Sequence, residues 1–148
     1  MSISLKFTII IFVVTIGVVF GYYSLDKFRV QEVKFENLAN NPQKYNGHKI
    51  IIEGFFFQGW EVIILCERLE TSGRAEDHLV PGGLMIWVEG GVPRDVYDLL
   101  HKQDMLGPEE RFGKVRIQGE FSYGGSYGHI GGFSYQIIPS SVELLEWI

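Results

Sequence analysis

A single cysteine, Cys66, rules out any intrachain disulfide. Positive charge is also scarce: 13 Lys and Arg against 18 Asp and Glu leave a formal net charge of −5. No Lys/Arg run interrupts that balance. Binding to nucleic acid through phosphates needs a basic surface, so the aggregate charge argues against it. The 4 histidines are scattered, and no CxxC or HxxxH spacing occurs. A zinc-type site has no ligand set to build on, and neither a metal nor a cofactor is expected.

Glycine and aromatics are abundant. The chain of 148 residues has 18 glycines, 14% aromatics and 46% hydrophobic residues. That composition supports a packed core and favours strands joined by tight turns over a helical bundle. The length suits one domain plus a short extra segment, divided here as 1–25 and 26–148.

The first segment is a separate object. From Phe7 to Leu25 the chain carries no charge. At about 1.5 Å of rise per residue, such a helix nearly crosses a hydrocarbon layer of about 30 Å. Tyr22 and Tyr23 sit where an interfacial aromatic belt would lie, with Asp26, Lys27 and Arg29 just beyond. The expected reading is a single-pass N-terminal anchor in the cell membrane, with the domain on the extracytoplasmic side. A cleaved signal peptide ending near Gly21 is the alternative, although no Ala-x-Ala site is present.

In the second segment, Phe35, Leu38 and Ala39 have helical spacing, and Asn41-Pro42 restarts a turn. HKIIIEGFFFQ reads as a long strand, with Gly54 marking a bulge or bend where the strand serves two sheet regions. Glu61–Glu67 is a second strand, 68–83 a long polar loop, and Leu84–Glu89 a third strand. PRDVYDLLHKQDML predicts a helix with Val96, Leu99 and Leu100 on its apolar face. KVRIQGEF alternates cleanly, and a last strand broken by Pro139 follows the glycine-rich Tyr123–Tyr135 segment. The order β-β-β-α-β-β is that of a mainly β, five-stranded OB-fold Greek-key barrel, with its helix between strands 3 and 4.

Three motifs strengthen this reading. N-P-x-x-Y-x-G-x-x-I-x-I-x-G (Asn41–Gly54) resembles the first strand of a group of small, largely uncharacterised bacterial OB-fold proteins of the cell envelope. G-x-V-x-I-x-G-x-F (Gly113–Phe121) and G-H-x-G-x-F-S (Gly128–Ser134) resemble their closing hairpin. The resemblance spans most of 35–146. It implies a β-barrel domain, often behind a signal or lipoprotein leader, but this chain has no lipid-accepting cysteine near its N-terminal run.

Catalysis finds little footing. Gly124–Gly128 fits G-x-S-x-G, but a nucleophile elbow needs a strand, a sharp turn and then a helix, and five glycines in Tyr123–Tyr135 disfavour a helix. No nucleophile, base and orienting group come together, so no catalytic residue is assigned and the protein is read as a non-enzyme. Cys66 lies in an apolar strand and is expected to be an inert core thiol. A ligand contact is expected from Tyr123, Tyr127, His129 and Phe133 in the last hairpin, with Trp60 and Trp87 as further aromatic surface. Each has a plainer reading as sheet packing or a structural histidine. The expected partner is a protein, peptide or glycan; single-stranded nucleic acid is the alternative.

These readings predict that the full chain, tagged at its C-terminus, sediments with membranes at full length and that protease digests its domain in intact spheroplasts. A soluble chain lighter by about two dozen residues would instead mark a removed signal peptide.

Overall fold

β-Branched and aromatic residues dominate the stretches that become strands, and seven of them join into one sheet. The computed structural model describes residues 30–104 and 107–147. The N-terminal run expected to be an anchor lies outside them. Among the described residues, no helix is long and apolar enough to cross a membrane.

The elements follow in order: β1 (Gln31–Glu32), α1 (Phe35–Asn40), a 3-10 turn (Pro42–Tyr45), β2 (His48–Gly59), β3 (Val62–Thr71), β4 (Leu79–Val88), α2 (Arg94–Leu99), β5 (His101–Gln103), β6 (Glu110–Tyr127) and β7 (Phe133–Leu144). Neighbours run β1-β2-β3-β4-β7-β6-β5, and β6 also pairs with β2. The sheet thus bends into a partial ring. The link between β4 and β7 is short: they pair in parallel only at Trp87↔Gln136 and Val88↔Ile137.

The expected five-stranded barrel is therefore met in part. The fold is mainly β, and a helix stands between the third and fourth long strands. Two short strands, β1 and β5, were not foreseen. The predicted helix after Pro93 ends at Leu99, because Leu100 turns extended (φ −64°, ψ 149°) and His101 pairs with Phe112. Val96 and Leu100 are buried as expected, but Leu99 is 70% exposed. The long loop expected over 68–83 is also corrected. β3 and β4 continue as a hairpin arm from Arg68↔Gly82 to Thr71↔Leu79, past a register shift at Cys66/Arg68. Its polar residues reflect a strand pair with wet edges, which alternation alone does not separate from a loop. Pro139 does not break β7, which runs through it with a register shift opposite Gln118/Gly119. β7 pairs with β4 only at Gln136 and Ile137, so a missing N–H at position 139 disrupts no bond to β4.

The core fills the inside of the ring. Ile50, Ile52 and Phe56 of β2 face Val115, Ile117 and Phe121 of β6, joined by Leu65, Ile86, Val88 and Ile137. α1 caps this core with Phe35 and Leu38, while Ala39 stays exposed. Fully buried Phe56 or Phe121 cut to Ala would cost about 3–5 kcal/mol. A second apolar cluster, Phe57, Ile64, Cys66, Trp87 and Phe112, lies on the opposite face of the sheet.

Gly54 sits where one edge of β2 changes partner, from β1 at Ile50–Ile51 to β3 at Phe55. No bulge forms there: the pairing with β6 passes through Gly54↔Val115 unbroken. The glycine is needed for close approach instead. A Cβ at 54 would stand 2.7 Å from the Phe35 ring and 2.8 Å from the Cys66 carbonyl oxygen. Gly54→Ala should therefore lower stability by about 1–3 kcal/mol in denaturant unfolding. Gly107→Ala, where nothing lies within 4 Å, should stay within about 0.5 kcal/mol of the parent.

Candidate functional site

Two hairpin tips meet at one end of the ring. The β2–β3 connection is the two-residue turn Trp60-Glu61, closed by the Gly59↔Val62 pair. Glu61 takes a left-handed backbone, φ 57°, which a non-glycine residue adopts at a cost of about 1–2 kcal/mol. The β6–β7 connection turns over 128–132, where Gly131 N–H donates to the Gly128 carbonyl at 3.2 Å. The Tyr123–Tyr135 segment is thus mostly strand, and its loop is only the tip.

Between the tips opens a cleft of about 490 Å³, lined by Gln58, Gly59, Glu61, Ile63, Trp87, Glu89, Gly128 and His129. Glu61 and His129 face each other across the tips, with Oε1 and Nε2 3.6 Å apart. Both side chains are more than half exposed, so this pair adds little to stability. Trp87 forms part of the cleft wall and is held firmly. Its indole N–H donates to Glu89 Oε2 at 2.9 Å, and the Gln136 amide donates to the same oxygen at 3.0 Å. Its ring packs on Phe133 with centroids 5.6 Å apart. Gly128 rests on this aromatic pair at φ 82°, and a Cβ there would lie 2.9 Å from Phe133 and 3.0 Å from Trp87. Glycine is required twice over, by backbone conformation and by space.

The expected site residues separate into groups. Trp87 and His129 line the cleft, and Trp60 stands beside it, 72% exposed. Phe133 and Tyr127 pack under it, against the second apolar cluster. Tyr123 is elsewhere: its ring packs, tilted, against Tyr135 with centroids 5.1 Å apart beside the inner core. Trp87 is buried and serves as wall rather than as an open stacking face. Glu61, Glu89 and Gln58 were not singled out from sequence. Glu61, expected as the first residue of the second strand, stands instead in the turn before it. Glu89 joins the cleft because β4 ends at Val88, beside Gln136 and Ile137 of β7.

The other histidines lie apart. His48 Nδ1 is 3.1 Å from the Asn46 carbonyl oxygen. His78 is buried, with Nε2 3.2 Å from Glu110 Oε2, and Gln103 Nε2 donates to the same carboxylate oxygen at 2.7 Å. His101 stacks on Phe112 at 5.7 Å. Among the described residues, no three His, Cys, Asp or Glu side chains are placed to hold a metal. No protein-family model matches the chain, and comparison with curated proteins and with solved structures gives no match either.

Cys66 is fully enclosed, with its sulfur 3.3 Å from the Phe55 carbonyl oxygen and 3.2 Å from that of Arg68. Burial pushes its thiol from an ordinary 9.0 up to about 11. The native state therefore holds a proton that the unfolded chain releases at lower pH. The stabilisation from this site is complete below about pH 9 and is lost as pH rises through about 11. Unfolding of the parent and of Cys66→Ala across that range should show this pH-dependent loss in the parent only. The native thiol should also resist alkylation at pH 8.

Proposed function

We propose that this chain is a membrane-anchored, non-enzymatic OB-fold binding module whose partner is a protein, peptide or glycan. The fold reading rests on pairing order. The long strands pair β2-β3-β4-β7-β6 and return to β2, with β4 and β7 parallel and α2 between the third and fourth. In OB-folds the loops corresponding to the β2–β3 and β6–β7 tips are where ligands meet the barrel. The anchor reading rests on the uncharged Phe7–Leu25 run.

One observation carries the binding reading: both tips present a large apolar side chain to solvent on either side of the shared cleft. Trp60 is 72% exposed and Ile130 is 86% exposed. Together at one cleft they offer apolar contact to a partner, and tryptophan is favoured at the centre of interfaces. Two carboxylates line the cleft, Glu61 and Glu89. They favour this reading over single-stranded nucleic acid, whose phosphates they would repel.

A photo-crosslinking residue at position 60 or 130 should give a discrete adduct in the source cells, and one at Glu120, on the wet face of β6, should not. Equal labelling from all three positions would remove the tips from the interface.

A further inference from the structure

The ion pairs of Arg68, Arg94, Arg111 and Arg116 lie away from the cleft. Arg68 bonds Glu70 and approaches Glu67, Arg94 bonds Asp98, Arg111 bonds Glu109, and Arg116 bridges Glu53 and Glu143. Glu61 and Glu89 have no Lys or Arg partner among the described residues, and neither residue type lines the cleft. Glu61 has only the exposed His129, 3.6 Å away. Glu89 uses one oxygen, Oε2, for both Trp87 and Gln136. Those two donors fix the carboxylate and leave Oε1 without a hydrogen-bond partner among the described residues.

We infer, resting on the binding-module reading above, that the cleft takes the cationic side chain of a basic peptide segment. The chemistry of the walls is complementary to such a side chain. An ammonium or guanidinium group donates charge-assisted hydrogen bonds, stronger than neutral ones, to the Glu89 carboxylate held by Trp87 and Gln136 and to the exposed carboxylate of Glu61. Its methylene stem lies against apolar wall supplied by Ile63 and Trp87. Exposed Trp60 at the rim supplies an aromatic face for a second cation of the same segment. A neutral glycan donates hydroxyl hydrogen bonds to the carboxylates but brings no charge to balance them. The net charge of −5 draws a basic segment toward the domain from a distance.

The test uses the ¹⁵N-labelled full chain in a non-ionic detergent, titrated with pentalysine, with fully acetylated pentalysine, and with a neutral tetramer of N-acetylglucosamine. The Trp87 indole N–H reports directly, because it is bonded to Glu89. Pentalysine should shift this signal and the Gly128 amide saturably, and acetylated pentalysine should not. Glu61→Gln with Glu89→Gln should weaken pentalysine binding about tenfold or more, as expected when hydrogen bonds to charged groups are lost. Glutamine at 89 keeps an oxygen for Trp87 and Gln136, and an otherwise unchanged spectrum would certify the fold. The inference falls if the double variant binds pentalysine like the parent, if the acetylated peptide binds equally, or if pentalysine moves neither signal. A shift with the glycan alone would overturn the cationic assignment and leave the binding module standing. Silence from every probe, together with no adduct from position 60 or 130, would remove both.

Discussion

The antiparallel ladder between β2 and β6 is the constraint on which the remaining elements depend. It runs without a register shift from His48↔Phe121 to Gln58↔Arg111. Side chains alternate across it, so one register fixes two faces at once. The inner face receives Ile50, Ile52, Phe56, Val115, Ile117 and Phe121, all fully buried. The outer face receives Phe57 and Phe112, which begin the second apolar cluster. A slip by one residue would exchange these sets and expose both. Glycine at 54 and at 119 then lets other chain segments press onto the ladder: Phe35 and the Cys66 carbonyl at one, the Ile137 side chain and Ile138 backbone at the other.

The same ladder positions the cleft. β2 continues past it into the Trp60-Glu61 turn, and β6 feeds the β7 hairpin that ends in Gly128-His129. β4 lies between β3 and β7, with Trp87 paired to both, and Glu89 just past its end lines the cleft. Three loops far apart in sequence therefore become neighbours because their strands share one ring. Beneath them the Trp87–Phe133 pair acts as a floor, and the glycine at 128 allows the chain to lie directly on it. The tips themselves carry little stabilising burial, which leaves Trp60, Glu61, His129 and Ile130 available to a partner.

The strands of this fold were legible where alternation was strong. KVRIQGEF buries Val115, Ile117, Gly119 and Phe121 and wets Arg116 and Glu120, as its pattern requires. The turn at Asn46-Gly47 and the restart at Pro42 were equally plain. What failed to show was pairing between polar strands. Arg68–Thr71 and Leu79–Gly83 look like a loop because their outer edges meet water, and only their mutual register makes them an arm. The short β5 was hidden inside an apparent helix, because the chain leaves the helix after Leu99 and pairs His101 opposite Phe112. At the site, aromatics and the lone tip histidine stood out by residue type. The carboxylates did not, because isolated glutamates are common on surfaces and these two come together only when the β2–β3 turn and the end of β4 line one cleft.

The central claim is that the β2–β3 and β6–β7 tips converge into one cleft, and a paramagnetic probe tests it most directly. A nitroxide attached at Trp60→Cys, in a Cys66→Ala background, should broaden the amide signals of Gly128 and His129. It should spare Ser141, which lies beside Ile51, about 30 Å along β2 from the tip at roughly 3.3 Å per residue. Sharp signals at Gly128 and His129 would mean that the tips stand apart, and the cleft with its proposed function would have no structural basis.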